Sequence, residues 1–300
     1  MQFSTLADFK IAPELRRQPF TLPCRLGRWK LQRLIGEGSL CQVYLGTPWY
    51  GTADLPDDFP GQAAIKVLRE RWQNRCEALD MFSREAVAGQ TVSHPNLISV
   101  WEARLEGPPY HLVMPYLQGM RLDALVARDG RLSLTAAARI TGQVASAMDA
   151  LFAAGWMHAD VKPNNIMVSD AGDAVLIDLG FAQQIDELMG DENPPLFGTI
   201  NYMAPERLIS PPRLDVRGVV YSLGVTLYEL LAGRLPFTGK TCGEVARAHR
   251  GKTPEDVRVH APRVPQPLAE LVGRMLAKRP EDRPQTPGQV ARELQSLSLA

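Results

Sequence analysis

The sequence predicts an α+β fold built as two lobes. In the first third of the chain, short apolar runs separated by glycine and proline are typical of strands. In the remainder, apolar residues recur at steps of three and four, as they do in amphipathic helices. The length of 300 residues accommodates either two domains or one two-lobed domain. A composition of 45% hydrophobic and 22% charged residues argues against disorder, collagen and coiled coil.

Charge and cysteine content narrow the classes of function. The 33 basic residues balance the 33 acidic ones, which argues against a dedicated nucleic-acid binder. The longest apolar run, Val219–Leu231, is too short and too polar to span a bilayer, and the first twenty residues lack the apolar core of a secretory signal. The four cysteines are widely scattered, so we expect a reduced, cytoplasmic compartment.

Strands and one helix are expected in the first third, after an extension at residues 1–27 that shows no sustained period. The pattern from Trp29 to Leu45 predicts two strands around a glycine-rich turn, and the apolar run Ala63–Leu68 predicts a buried strand. Segment 46–62 between them is rich in proline and glycine and forms a long loop. The remaining elements are a helix over Trp72–Gly89 and strands over Leu97–Trp101 and His111–Tyr116.

Helices are expected in the remainder of the chain. Ser133 is a candidate cap for a helix whose apolar stripe runs from Ile140 to Leu151. The segment Val220–Leu231 is apolar nearly all round, which predicts a buried central helix. Two surface helices are expected over Leu268–Leu276 and Val290–Leu297.

Polar residues in the predicted strand-rich part indicate a nucleotide site only in combination. Gly36 and Gly38 lie between two predicted strands, where glycines let backbone N–H groups approach a phosphate. Alone, such a pair is typical of an ordinary hairpin turn. Lys66 lies in an apolar strand, and Glu85 on the next helix could supply its partner carboxylate. Alone, the lysine could reach solvent and the glutamate could be a solvated helix residue.

Two later segments are more informative. The run from His158 to Met167 concentrates the carboxylate of Asp160, the amine of Lys162 and the amide of Asn165 in a turn. A little further on, Asp178 ends an apolar strand before a glycine, a plausible place for a metal ligand. Either segment alone could be a polar loop between strands. Both together, after a strand lysine and a helix glutamate, favour a catalytic site.

In order and spacing, these segments resemble the signature set of the protein kinases. The matching runs are GEGSLCQV, AAIK with Glu85, HADVKPNN, DLG, GTINYMAPE, the predicted central helix and RPEDRP. The chain is most similar to bacterial serine/threonine protein kinases of the eukaryotic (Hanks) type. The resemblance implies a bilobal kinase domain over 28–297. Its N-lobe, about 28–117, is a small antiparallel sheet with one helix, and its C-lobe, about 118–297, is mainly helical.

The resemblance also implies a role for each polar residue of the site. Asp160 orients the substrate hydroxyl and accepts its proton, and Lys162 steadies the γ-phosphate. Lys66, positioned by Glu85, holds the α- and β-phosphates. The remaining implied residues are Asn165 and Asp178 for Mg²⁺ or Mn²⁺, the structural pair Glu206 and Arg283, and, for ATP, Ile35, Gly36, Gly38, Val43, Ala64, Lys66, Met114, Pro115, Leu117 and Met167.

Several positions depart from the family pattern. Cys41 replaces the third loop glycine, which suggests a redox-sensitive thiol near the phosphates. Ala159 replaces the catalytic-loop arginine that pairs with an activation-loop phosphate in the family. Val219 replaces the aspartate that anchors the catalytic loop, for which Asp215 is a possible substitute. Gly89 stands where a bulky residue usually packs behind the lysine–glutamate pair. The departures at Val219 and Gly89 are expected to lower the catalytic rate rather than to abolish catalysis.

The segment between Asp178 and Glu206 has no serine, threonine or tyrosine before the GTINYMAPE run that could accept an activating phosphate. Its hydroxylated side chains are Thr199 and Tyr202, both inside the GTINYMAPE run. With the usual arginine absent as well, we expect activity that needs no activation-loop phosphorylation.

The sequence therefore predicts an enzyme that transfers the γ-phosphate of MgATP to Ser/Thr hydroxyls of protein substrates. Two alternatives stay open: a pseudokinase acting as a nucleotide-binding scaffold, and a small-molecule phosphotransferase with a related core. Competent residues at all six polar catalytic positions argue against the first alternative, and the GTINYMAPE run with Arg283 argues against the second. No nucleic-acid partner and no membrane span are expected, and the oligomeric state is not predicted.

Overall fold

A six-stranded antiparallel sheet forms the first lobe in the computed structural model, which describes residues 20–50, 59–189, 198–213 and 215–297. Most of the predicted extension 1–27 and the middle of the predicted loop 46–62 lie outside these residues. The sheet order is β1-β2-β3-β4-β6-β5. The strands are β1 (Cys24–Leu26), β2 (Trp29–Glu37), β3 (Cys41–Pro48), β4 (Ala63–Leu68), β5 (Glu102–Arg104) and β6 (His111–Pro115).

Alternation along the strands gives this sheet two different faces. On β4, Ala63, Ile65 and Val67 belong to an apolar cluster on one face together with Trp29 and Tyr44. Because successive side chains point to opposite faces, Ala64 and Lys66 face the other side. The sequence pattern of β4 therefore directs the lysine away from this apolar cluster.

Helix α1 (Cys76–Thr91) packs against the sheet through Ala78, Phe82 and Ala86, which share the main hydrophobic core with the second lobe. The helix was expected to begin at Trp72, and this bound is wrong. Trp72 instead ends a separate 3₁₀ turn, Glu70–Trp72. The apolar stripe that predicted one helix runs through both elements.

The strand predicted over Leu97–Trp101 is also wrong, since the strand begins at Glu102. Backbone groups of the predicted segment bond to three different elements rather than to one neighbour. The N–H of Ile98 donates to the carbonyl of Leu176, that of Val100 to Gly89, and that of Trp101 to Val113. The apolar residues of this segment are buried as a connection between the lobes.

The second lobe is mainly helical, as predicted, so the α+β two-lobed class is confirmed. Its helices are α2 (Leu122–Asp129), α3 (Leu134–Ala153), α4 (Ile185–Met189), α5 (Val216–Ala232), α6 (Cys242–Gly251), α7 (Gln266–Met275) and α8 (Pro287–Ser296). The hydroxyl of Ser133 caps α3 by accepting from the N–H of Ala136 at 3.2 Å. Helix α5 is buried along nearly its whole length, as its all-round apolar sequence predicts.

Two small antiparallel sheets position the loops between these helices. One joins β10 (Ala174–Leu176), β9 (Ile166–Val168) and β7 (Met120–Arg121), and the other joins β11 (Ala182–Gln184) to β8 (Trp156–His158). The loops that follow β8 and β10 carry the polar residues singled out from the sequence. Within the described ranges, no helix has the length and apolar character needed to cross a membrane.

Candidate active site

The predicted lysine–glutamate pair forms, and Asp178 joins it. The Nζ of Lys66 lies 2.7 Å from Oε1 and 2.6 Å from Oε2 of Glu85. It also lies 2.9 Å from Oδ1 of Asp178, which comes from the second lobe. Strand β4, helix α1 and the segment after β10 therefore meet at one ammonium group.

Burial and neighbouring charges set the protonation states of Lys66 and Asp178. Burial by itself would lower the pKa of Lys66, but the carboxylates of Asp178 and Glu85 raise it above its ordinary value. Asp178 is only half-buried, and the effect of its partial burial is outweighed by the Lys66 ammonium, which lowers the pKa of the carboxyl group. Lys66 and Asp178 thus carry opposite charges at neutral pH.

Asp178 has an unusual backbone conformation that directs its side chain. Its φ is +67°, in the left-handed region that residues other than glycine, asparagine and aspartate rarely adopt. The preceding residue is tied down, because the N–H of Ile177 donates to the carbonyl of Asn165 at 2.8 Å. This turn brings the Asp178 carboxylate to Lys66 directly after a buried strand.

The loop after β8 gathers a second polar cluster around Asp160. Its Oδ2 accepts from Lys162 Nζ at 2.5 Å and from Asn165 Nδ2 at 3.2 Å. Its Oδ1 accepts from the backbone N–H of Thr199 at 2.8 Å, while Lys162 Nζ also donates to Thr199 Oγ1 at 2.5 Å. The carboxylate is buried, and its orientation is fixed from three directions.

Asn165 and Asp178 fit a divalent cation of the Mg²⁺ kind. The amide nitrogen of Asn165 is used in donating to Asp160, which leaves its carbonyl oxygen as a ligand. Mg²⁺ takes oxygen ligands, and proteins usually hold it through one or two side chains plus substrate phosphates. In the part of the chain that the structure describes, no group of three or more His, Cys, Asp or Glu is arranged for a metal ion. Asn165 and Asp178 are thus the two side chains that would supply oxygen ligands here.

The residues expected around adenine lie mostly on the first sheet. Pairing places Gly36 opposite Val43, Val43 opposite Lys66, and Ala64 opposite Met114. Ile35 lies on β2, and Gly38 is the first residue after that strand. Pro115 ends β6, and Leu117 comes two residues after Pro115. Met167 lies on β9 of the second lobe and is half-buried. Their roles toward a nucleotide stay predictions.

Two departures from the family pattern have a structural explanation. At Gly89, a Cβ atom would lie 2.6 Å from Cγ2 of Val100, so the valine occupies the space that a larger residue would need. The Cys41 thiol is buried, and burial raises its pKa to about 12. A thiol that stays protonated is a poor nucleophile, which argues against the expectation that Cys41 is redox-sensitive.

Asp215 does not substitute for the missing anchor of the catalytic loop. Its Oδ1 accepts from the N–H of Arg217 at 2.8 Å and caps helix α5, and its Oδ2 pairs with the Arg217 guanidinium at 2.6 Å. Val219, at the family's aspartate position, is buried in the core.

Arg207, which the sequence did not single out, contacts the catalytic loop directly. Its Nη1 donates to the carbonyl of Ala159 at 2.9 Å, and its side chain is buried. Burial lowers the pKa of Arg207 to about 10, against the attraction of Asp160 and Glu206, so the guanidinium stays charged at neutral pH. The arginine follows directly after Glu206, at the end of the segment that begins at Asp178. It ties that segment to the residue beside Asp160.

The pair expected between Glu206 and Arg283 also forms. Nη1 and Nη2 of Arg283 donate to Oε1 and Oε2 of Glu206 at 2.7 and 2.8 Å, a two-point geometry in a buried site. Arg283 additionally donates to the carbonyls of Ala277, Lys278 and Arg217. The end of the segment from Asp178 to Glu206 is thereby fixed to the first turn of helix α5.

Comparison with known proteins agrees with this geometry. Residues 29–294 match the family model for the protein kinase domain. Serine/threonine-protein kinase PrkC of Bacillus subtilis is 31% identical over 264 residues, which is 87% of this chain and 39% of that protein. Serine/threonine-protein kinase PknA of Mycobacterium tuberculosis is 33% identical over 274 residues, which is 88% of this chain and 60% of that protein. Serine/threonine-protein kinase PkaB of Streptomyces coelicolor is 35% identical over 265 residues, which is 85% of this chain and 60% of that protein. The chain therefore spans about two fifths to three fifths of the length of these relatives.

Proposed function

The chain belongs to the protein kinase family, and from this premise we propose that it transfers the γ-phosphate of ATP to serine and threonine hydroxyls of proteins. The observation that carries the proposal is the convergence of two charged clusters, one around Lys66 and one around Asp160. A cytoplasmic location and the use of Mg²⁺ or Mn²⁺ are parts of the same proposal.

Each cluster has a distinct task in phosphoryl transfer. The Lys66 ammonium, held by Glu85, binds the α- and β-phosphates and offsets their charge. Asn165 and Asp178 would hold the divalent cation, which supplies neutralisation of the charge that develops on the transferred group. Because most of the catalysis in this reaction is positioning and electrostatics, the fixed orientation of these groups matters more than their nucleophilicity.

Asp160 is placed to work on the acceptor. Its carboxylate orients the substrate hydroxyl and takes up its proton as the oxygen attacks. Lys162 lies between Asp160 and Thr199, so its ammonium is beside the reacting hydroxyl and can stabilise the γ-phosphoryl group. A lysine at this position, together with the glycine and threonine before Ile200, favours serine or threonine as the acceptor over tyrosine.

We further propose that activity does not require phosphorylation of the activation loop. In the family, an arginine beside the catalytic aspartate and a loop phosphate tie the loop to the active site. Here Ala159 has no such side chain, but Arg207 reaches back from the segment and donates to its carbonyl. The N–H of Thr199 adds a second tie to Asp160. Both ties are made by groups of the unmodified chain.

Transfer of radiolabelled γ-phosphate from ATP to a generic basic protein and to the chain itself tests the catalytic proposal. We expect label on serine or threonine with Mg²⁺ or Mn²⁺, loss of label with a chelator, and loss in Asp160→Asn. The matched control Asp170→Asn changes an exposed aspartate in the turn after β9 and should retain activity. Nucleotide binding with no transfer under any of these conditions would favour the pseudokinase alternative.

The phosphorylation proposal needs a separate measurement. Wild-type protein is treated with phosphatase, and intact mass spectrometry verifies that no phosphate remains. We expect the initial rate to be unchanged by this treatment. A rise of more than about tenfold as phosphate accumulates on Thr199 or Tyr202 would contradict the proposal.

A further inference from the structure

The tip of the glycine-rich loop is held by a segment to which the catalytic proposal gives no role. The tip consists of Gly38, Ser39 and Leu40, between β2 and β3, and all three of its carbonyl oxygens accept hydrogen bonds from residues 69–72. Arg69 Nε donates to Gly38 at 2.9 Å, and the Arg69 N–H donates to Leu40 at 2.9 Å. Ser39 accepts from two side chains, Arg71 Nη2 at 2.7 Å and Trp72 Nε1 at 2.9 Å.

The turn that carries these donors has its own backbone bonding and contacts with the core. Residues Glu70–Trp72 form a 3₁₀ turn in which the N–H of Trp72 donates to the carbonyl of Arg69 at 2.9 Å. The Trp72 ring packs against the main hydrophobic core, and the Arg71 guanidinium lies 5.7 Å from the centre of that ring. Arg69 is buried, and its guanidinium makes a further contact with the loop by pairing with Glu37 at 2.5 Å. The turn is therefore a firm base against which the loop tip is fixed.

Fixing these carbonyls matters for an anionic ligand. Carbonyl oxygens carry partial negative charge and repel phosphate oxygens, whereas N–H groups attract them. Donors that engage all three carbonyls offset their negative charge, and the two arginines add positive charge beside the tip. A loop that is already ordered also loses less conformational freedom when its ligand binds. Cys41, directly after the tip, is buried in the core and limits the loop from its other end.

We propose that Arg69, Arg71 and Trp72 form a loop clamp that holds the glycine-rich loop in one conformation and thereby strengthens binding of the triphosphate of ATP. The inference rests on the proposed function in so far as a nucleotide occupies this site. The three side chains are positioning residues, since they act through the carbonyls of the loop and not on the nucleotide itself.

The test uses two mild variants of the full chain, because replacing the buried Arg69 risks unfolding. Trp72→Phe keeps an aromatic ring in the core and removes the N–H donor, and Arg71→Met removes an exposed guanidinium. The matched control is Arg75→Met, which changes an exposed arginine four residues after Arg71 that donates no hydrogen bond to the loop among the described residues. Binding of MgATP and of adenosine is measured by calorimetry, and the steady-state constants are measured in parallel.

We expect each clamp variant to bind MgATP about three- to tenfold more weakly, as the loss of one hydrogen bond predicts. Adenosine affinity should change less than twofold, because adenosine has no phosphates. The KM for ATP should rise more than kcat falls, and amide exchange at residues 36–41 should become faster. Arg75→Met should match the wild type in every measurement.

Three results would overturn the loop clamp. Wild-type affinity for MgATP in both variants would do so while leaving the proposed function intact. Equal weakening of ATP and adenosine binding would indicate general damage to the site. Failure of the wild-type protein to bind MgATP at all would overturn the proposed function and the loop clamp together.

Discussion

Replacing Arg283 by methionine should destabilise the second lobe more than any single surface change. The side chain is fully buried and donates five hydrogen bonds, two to Glu206 and three to backbone carbonyls. Removing one partner of a buried ion pair costs about 3–5 kcal/mol, because the other charge stays buried without compensation. Each carbonyl left without a donor adds up to about 1 kcal/mol. We therefore expect the free energy of unfolding to fall by at least about 3 kcal/mol.

Urea denaturation followed by tryptophan fluorescence measures this loss. The matched control is Arg279→Met, which removes an arginine with 71% side-chain exposure from the same turn and should leave the unfolding curve in place. Glu206→Gln, which keeps the shape of the acceptor and removes its charge, should fall between the two. A loss below about 1 kcal/mol in Arg283→Met would refute the reasoning, since it would mean that water or another cation reaches the Glu206 carboxylate.

Three further predictions concern the catalytic loop, a constrained glycine and a buried histidine. Arg207→Met should lower kcat about 10- to 100-fold with little change in the KM for ATP, and Arg207→Lys should restore part of the rate in the same kinetic assay. Gly119→Ala should lower the unfolding free energy by more than about 2 kcal/mol in urea, because φ is +147° and the new Cβ would lie 2.2 Å from the carbonyl oxygen of Val168. Burial, aided by the positive charge of Lys278, lowers the pKa of His249 to about 4. Between about pH 6.5 and 4 the histidine is therefore protonated in the unfolded chain but not in the folded chain. Stability should therefore fall by up to about 3 kcal/mol as pH drops through this window, and urea curves of His249→Phe should show a shallower fall.

The sequence predicts those parts of the molecule where residue type and spacing together fix the structure. Helix α5 is apolar all round, a pattern that only a buried helix satisfies, and it lies where the pattern predicts. Lys66 and Glu85 have opposite charges on neighbouring apolar elements, and burial of either without the other would be costly. Their contact follows from that constraint.

Prediction fails where the backbone has several possible partners. The apolar segment Leu97–Trp101 has the composition of a strand, but its N–H groups bond to three separate elements. Strands of two or three residues, such as β7 and β8, are too short to show a period, and long-range pairing alone creates them. The predicted start of α1 is wrong for a related reason, since one apolar stripe crosses two consecutive elements.

A more general limit explains why Arg207 and the loop clamp were missed. The side chains that matter here, those of Arg69, Arg71, Trp72 and Arg207, all donate to backbone carbonyls. Every residue carries a carbonyl, so the acceptor leaves no mark in the sequence, whereas a partner such as Glu85 does. The missing family residues at positions 159 and 219 signalled that a replacement was needed but not where it would come from. In a chain that lacks side-chain anchors, arginines and tryptophans that face turns of the backbone are therefore the first candidates for a replacement. Kinetics distinguishes their roles: a residue that positions the nucleotide affects mainly the KM for ATP, and a residue that positions the catalytic loop affects mainly kcat.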